Sequence, residues 1–279
     1  ALLRINAGFE EGLNAGRAVP VQLTVDGADS NTARFVLNYA AQITAAANIA
    51  LAGETLRRRA GPLAAPGGLD LRPRVWFNPD LESRNYYVPG IIAMLVMLVG
   101  LMLTSMAIVR EKETGTIEQV MVTPIRPVEF ILGKCAPFAV VGFVDTALVS
   151  AVGLFWFDIP FRGSFALLLL GTALFLLGTL GIGLFISTVS RTQQQAMMTT
   201  FFFFFPAMLF SGFIFPISSM PEPFQWLSLA DPLRHFLVII RGVFLKGVGA
   251  EVLWPELAAL LGMGAAVMAF AVSRFRKTL

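Results

Sequence analysis

The chain alternates long apolar runs with short charged ones, and the lengths of the apolar runs define its layout. Pro89 to Val109 carries no charge, and at about 1.5 Å of helical rise per residue it reaches across a hydrocarbon core of about 30 Å. Four more runs share this character: Cys135 to Phe157, which holds a single acid, Phe165 to Val189, Ala196 to Phe215, and Leu253 to Val272. The pattern predicts five membrane-crossing helices within residues 86–279. Between residues 216 and 250 the apolar stretches Leu227 to Leu229 and Phe236 to Ile240 are too short to cross, and Pro221, Pro223 and Pro232 interrupt them.

Residues 1–85 follow a different pattern. Val19 to Val25 alternates apolar and polar positions as a half-buried strand does, and Asp26-Gly27 closes it with a turn signal. Leu2 to Ile5 is a second short apolar run, and Ser30 or Asn31 can cap a helix that continues to about Arg59. Gly61 to Arg74 has prolines and glycines without periodicity and reads as a loop, with Val75-Trp76-Phe77 as a last short strand. The expected fold is a polytopic α-helical membrane protein carrying a small N-terminal α+β domain.

Composition agrees with a membrane protein. Of 279 residues, 56% are hydrophobic and 14% charged, with a mean hydropathy of +0.72, against about 25% charged in an ordinary soluble domain. The net charge of +3 comes from so few charges that basic residues flanking spans account for it, and nucleic acid is not an expected partner. One cysteine, Cys135, and one histidine, His235, leave no disulfide framework and no imidazole cluster for zinc. The sequence has no GxxxxGK[ST] string; Gly133-Lys134 is followed by Cys135. No span carries paired acids or a nucleophile with its base, so the chain is not expected to be an enzyme.

Basic residues set the expected orientation. If residues 1–85 lie outside, the cytoplasmic side collects Arg110, Lys112, Arg126, Lys134, Arg191, Arg274, Arg276 and Lys277, and the outer side Arg162, Arg234, Arg241 and Lys246. An outer domain ahead of the first apolar run needs a span to carry it across, so a sixth helix is expected ahead of residue 1.

The densest polar chemistry lies in Arg110 to Pro127, an island between two spans. Thr114 or Thr116 can cap a short helix there, Glu118 suits its first turn, and Pro124 and Pro127 end it. Ile117, Val120, Met121 and Ile125 share one face. Spacing alone also fits a solvated loop with ordinary flanking charges.

Two motifs resolve this by resemblance. Glu113-Thr114-Gly115-Thr116-Ile117-Glu118-Gln119-Val120, followed by Pro124, resembles the E-x-G-T-x-E-x-L loop of permeases of ABC-2 class ATP-binding-cassette exporters, with Val for Leu. Ser211-Gly212-Phe213-Ile214-Phe215-Pro216-Ile217, then Met220-Pro221 and Asp231-Pro232-Leu233, resembles their segment after the fifth span. The resemblance covers nearly the whole chain. It implies a permease subunit of the bacterial cytoplasmic (inner) membrane, with residues 110–134 as a cytoplasmic coupling loop docking on separate ATPase subunits. ATP and magnesium would be bound by those subunits and no cofactor by this chain. It further implies a second permease copy or homologue, contact with lipids, and periplasmic or outer-membrane export components as candidate partners. By the same resemblance Glu111, Glu113, Thr116, Glu118 and Gln119 face the ATPase, Gly115 and Pro124 shape the backbone, and residues 216–250 form outer re-entrant helices.

Other residues are candidates for a pathway or gate. Asp145 lies about 15 Å into its span, where a charge costs about 2.5 to 3.5 kcal/mol on insertion scales. It serves a substrate path or proton site, or else holds helices together; a proton-coupled secondary transporter built on it is the alternative function. Phe201 to Phe205 before Pro206 faces lipid or an aromatic pathway, which makes Phe204 and Phe205 candidates, with Ser211, Phe213 and Phe215 beyond them. Thr179, Gly183 and Ser187, each four apart, and Gly262 with Ala266 offer small faces for close helix packing. His235 reads as an interfacial residue and Cys135 as packing.

Overall fold

The computed structural model describes residues 1–58, 68–116 and 127–277, and the chain divides into two compact units, Ala1–Tyr86 and Tyr87–Leu279.

The first unit is α+β. Strands β1 (Leu2–Ile5), β2 (Val19–Asp26) and β3 (Leu69–Trp76) form a sheet in that order, with β1 antiparallel and β3 parallel to β2. A short helix α1 (Phe9–Asn14) joins the first two strands, and α2 (Ser30–Arg58) makes the crossover a parallel pair requires. The alternation of β2 holds in space: Val19, Val21, Leu23 and Val25 are buried. Leu23 and Val25 pack with Ala33, Val36, Leu37 and Ala40 of α2. Further along α2, Asn48 donates to the Leu69 carbonyl at 3.1 Å and accepts from the Leu69 amide at 2.6 Å. α2 is therefore the layer that covers the sheet, although Ser30–Gly53 is long and apolar enough to cross a membrane.

β3 begins well before the expected Val75. Its Pro73 lies in a strand at the sheet edge, where a missing N–H is tolerated, and pairing with Val19 to Asp26 overrides the loop-like composition of residues 69–74.

The second unit is helical: α3 (Ser83–Thr114), α4 (Pro127–Phe155), α5 (Phe165–Val189), α6 (Gln193–Phe210), two short helices α7 (Glu222–Ser228) and α8 (Pro232–Arg241), and α9 (Ala250–Lys277). α3, α4, α5 and α9 have the length and hydropathy of membrane spans. α6 has 18 residues and opens with three glutamines, which dilute its mean hydropathy; it ends at Phe210, before Gly212 at φ 83°, not at Phe215.

Helix directions follow from close approaches between small residues. A Cβ on Gly100 would lie 3.3 Å from Thr179, one on Gly183 would fall 1.8 Å from Thr104 Oγ1, and Ser187 Oγ accepts from the Ile108 and Val109 amides at 3.0 Å. Residue numbers rise together on both helices, so α3 and α5 are parallel. Gly178 faces Gly264, and Gly181 faces Val267 and Met268, so α5 and α9 are parallel as well. The chain must therefore return once between α3 and α5, through α4, and once between α5 and α9, where α6 is the one long helix. The stripe Thr179-Gly183-Ser187 serves packing within the chain. On α9 the close approach is made by Gly264, while Gly262 faces open space.

Candidate functional site

The two ends of the bundle differ in chemistry. At one end the C-termini of α3 and α5 meet the N-termini of α4 and α6. α3 runs past the expected Val109 through the charged residues to Thr114, and Gly115 at φ 75° ends it. A left-handed residue there costs glycine no side-chain clash, and it lets the Thr116 amide turn back onto the Glu111 carbonyl at 3.1 Å. Thr114 and Thr116 are exposed and close the turn through their hydroxyls, 3.1 Å apart.

Within this last turn, three successive side chains reach three other helices. Glu111 pairs with Lys134 of α4. Lys112 Nζ donates to the Thr188 carbonyl at 2.6 Å, satisfying one of the carbonyls left over at the end of α5. Glu113 accepts the Gln193 backbone amide at 2.9 Å and the Gln193 side-chain amide as well. That places a carboxylate on the N-terminus of α6, where the helix dipole favours an anion, beside the Thr192 hydroxyl that accepts from the Gln195 amide at 3.1 Å. Of the residues expected to contact an ATPase, Glu111, Glu113, Gly115 and Thr116 are thus gathered at one bundle end, and both acids have partners within the chain. Glu118, Gln119 and Pro124 lie outside the described residues. Lys134 and Gln193 were not legible as partners, since each is an unremarkable polar residue until the helix ends are brought together.

The opposite end is rich in aromatic contacts. Tyr87 meets Phe213 edge to face at 5.8 Å, and the Arg162 amide donates to the Phe244 carbonyl at 3.1 Å. α8 is buried: Phe236 stacks on Phe175 of α5 with centroids 4.3 Å apart and planes 7° from parallel. Pro232 occupies the first turn of α8, and Asp231 caps it by accepting the Leu233 amide at 3.0 Å.

His235 is buried within the chain at 7% exposure. One ring nitrogen pairs with Glu256 of α9 and the other donates to the Leu229 carbonyl at 3.0 Å. Burial works against its charge, but these bonds and the Glu256 charge outweigh it and hold its pKa above the ordinary histidine value. Asp231 is 8% exposed, and burial pushes its carboxyl up to about 7 despite the Leu233 amide and the nearby His235 and Arg234 charges.

A cavity of about 530 Å³ opens between α5, α6 and the α7–α8 connection, with Phe185, Phe202, Phe203, Phe210 and Asp231 among its walls. The residues expected to form a pathway are not gathered here. Phe204 is buried beside Phe205, Phe205 and Phe215 are exposed, Ser211 is buried, Phe213 packs on Tyr87, and Asp145 lies on α4 with Oδ2 unpartnered among the described residues. On α6 the cavity uses Phe202 and Phe203, the neighbours of the expected pair, because a helix turns consecutive residues about 100° apart. The one sequence signal for Asp231 was its position before Pro232.

Comparison with known proteins adds family context to this geometry. Residues 1–273 match the family described as ABC-2 family transporter protein. The chain is 33% identical over 276 residues to the "Probable multidrug ABC transporter permease YbhR" of Escherichia coli K12, covering 99% of this chain and 73% of that protein. It is 30% identical over 282 residues to the "Inner membrane transport permease YhhJ" of the same organism, again covering 99% and 73%. A match of 26% identity to "ABC transporter G family member 20" of Dictyostelium discoideum covers 89% of this chain and 34% of that protein.

Proposed function

From the premise that this chain belongs to the ABC-2 transporter family, we propose the manner in which it works as the permease subunit of an ATP-driven exporter. The observation that carries the reading is the cross-bracing at the charged end of the bundle. Glu111, Lys112 and Glu113, consecutive on α3, hold α4, α5 and α6 respectively. A push delivered to the segment after Gly115 is thereby shared among four helices at once, which is what coupling to a separate ATPase requires.

In this reading the charged end is cytoplasmic and residues 1–85 are extracytoplasmic. Residues 110–134 dock on an ATPase subunit that binds ATP and magnesium, while this chain binds neither and catalyses no reaction. Glu118, Gln119 and Thr116 face that subunit, and Glu111 and Glu113 transmit its motion. Two permease copies, identical or homologous, frame the pathway in a bacterial inner membrane. The name of the YbhR relative makes drug-like amphiphiles the first substrates to test. The proton-coupled alternative resting on Asp145 is not favoured by the family match.

The test is co-purification and transport. The intact permease should retain its ATPase subunit, and changing Glu113 and Glu118 together to Lys should release it. Transport by the wild type that persists with no nucleotide-binding partner present ends the proposal. Cysteine labelling at position 29 from the outside checks the orientation.

A further inference from the structure

The cavity between α5, α6 and the α7–α8 connection has an electrostatic asymmetry that its apolar walls do not require. Its volume of about 530 Å³ falls within the range of roughly 300–1,000 Å³ typical of small-molecule sites. Apart from Thr199, whose hydroxyl accepts as readily as it donates, Asp231 is the lone polar side chain on its wall among the described residues. One oxygen of that carboxylate caps α8 through the Leu233 amide. The other, Oδ2, is buried and has no hydrogen-bond partner among the described residues.

The cations nearest to Asp231 are engaged elsewhere. Arg234 donates to the Gln225 carbonyl at 3.3 Å and to the Ser228 hydroxyl, and His235 is held between Glu256 and the Leu229 carbonyl. Burying an unpaired carboxylate oxygen is costly, and such groups call for a counter-charge or a proton. On α6, Pro206 of the same wall has no backbone N–H to donate. Phe185, Phe202, Phe203 and Phe210 contribute aromatic rings to the wall, and the quadrupole of such a ring attracts a cation over its face. Among the described residues the wall thus offers acceptors and aromatic rings, and no charged donor.

We propose that this cavity binds an amphipathic organic cation, its charge against the Asp231 carboxylate and its apolar body among the phenylalanines of α5 and α6. As the substrate class of the transporter this rests on the exporter reading, but the binding itself does not. An acyl chain of a lipid would use the same walls without using Asp231, and that difference decides between them.

The experiment is equilibrium binding of tetraphenylphosphonium, and of tetraphenylborate as an anion of the same shape, to the purified full chain in lipid nanodiscs without ATPase or nucleotide, corrected for empty nanodiscs. Asp231→Asn keeps an N-cap, since asparagine caps as well as aspartate, so the fold of α8 is preserved. The expected result is a loss of about tenfold or more in phosphonium affinity with no loss for borate. Phe203→Ala is expected to weaken both ions. Equal phosphonium affinity in wild type and Asp231→Asn, or no saturable phosphonium binding to the wild type, overturns the site. Saturable, Asp231-dependent binding without ATPase-dependent phosphonium efflux keeps the site and removes its role in export.

Discussion

The Glu113 carboxylate accepts both the backbone and the side-chain amide of Gln193, joining the end of α3 to the start of α6 across 80 positions of sequence. The contact sits next to the Thr192 cap, so the first turn of α6 is held from inside its own helix and from another.

Removing the outer hold should loosen that turn selectively. In Glu113→Ala, hydrogen exchange of the amides at the start of α6 should accelerate while exchange in the middle of α5 stays as in the wild type. Unchanged exchange at Gln193 would show that the carboxylate does not hold the helix.

Glu111 and Lys134 allow a direct test of intrachain against interchain roles. Glu111→Lys should depress ATPase stimulation by the permease, and the exchanged pair Glu111→Lys with Lys134→Glu should restore it if Glu111 acts by holding α4. The pair is part-buried, with side chains 19% and 34% exposed, and the exchange keeps both charges paired, so the unfolding midpoint of the exchanged pair should scarcely move. Failure of the exchange to restore coupling would place Glu111 in direct contact with the ATPase.

Gly183 is the tightest point between α3 and α5. A methyl there falls 1.8 Å from Thr104 Oγ1 and 3.2 Å from the Leu101 carbonyl, and helix backbones yield little, so Gly183→Ala should destabilise by about 1 to 3 kcal/mol. Adding Thr104→Ala removes the closest atom and should recover part of that loss in thermal unfolding in detergent. The same substitution at Gly262, which has nothing within 4 Å, should be neutral.

Two groups near the aromatic end give stability a pH dependence of one sign. Asp231 keeps its proton up to about 7 when folded against an ordinary value of 3.8, so the native state binds the extra proton and stability falls as pH rises from about 4 to 7. His235, with a raised pKa, contributes fully below about 6.5 and loses its contribution as pH rises through its folded value. Arg234 lies beside both groups, and Glu256 on α9 is the other acid facing His235. Asp231→Asn should flatten the unfolding midpoint between pH 4 and 7, and Glu256→Gln should flatten it above pH 6.5. A midpoint in Asp231→Asn that still falls over the lower window would assign it to other groups.

The sequence by itself determined the class of the protein, most of its spans and the place of its polar chemistry. Span length and hydropathy are local properties, fixed by the thickness of the hydrocarbon and readable in any window from Pro89 to Val109 or Phe165 to Val189. The alternation of Val19 to Val25 is local in the same sense, and it survived intact. The strand at Leu69 to Arg74 was illegible because its stability comes from pairing with β2, some 50 positions earlier, and not from its own composition.

Only the tertiary structure decided what the charged and small residues do. Glu113 and Lys112 acquire their roles from Gln193 and Thr188, residues placed beside them by the parallel packing of α3 on α5. His235 acquires its role as a buried link because Glu256 reaches it from α9. Asp231 caps a helix by a local rule, but it also borders a cavity, with its second oxygen buried and unpartnered among the described residues, because α5 and α6 bring phenylalanines alongside. Hydropathy sums over neighbours in sequence, whereas a charge or a missing side chain takes its meaning from the one group packed against it.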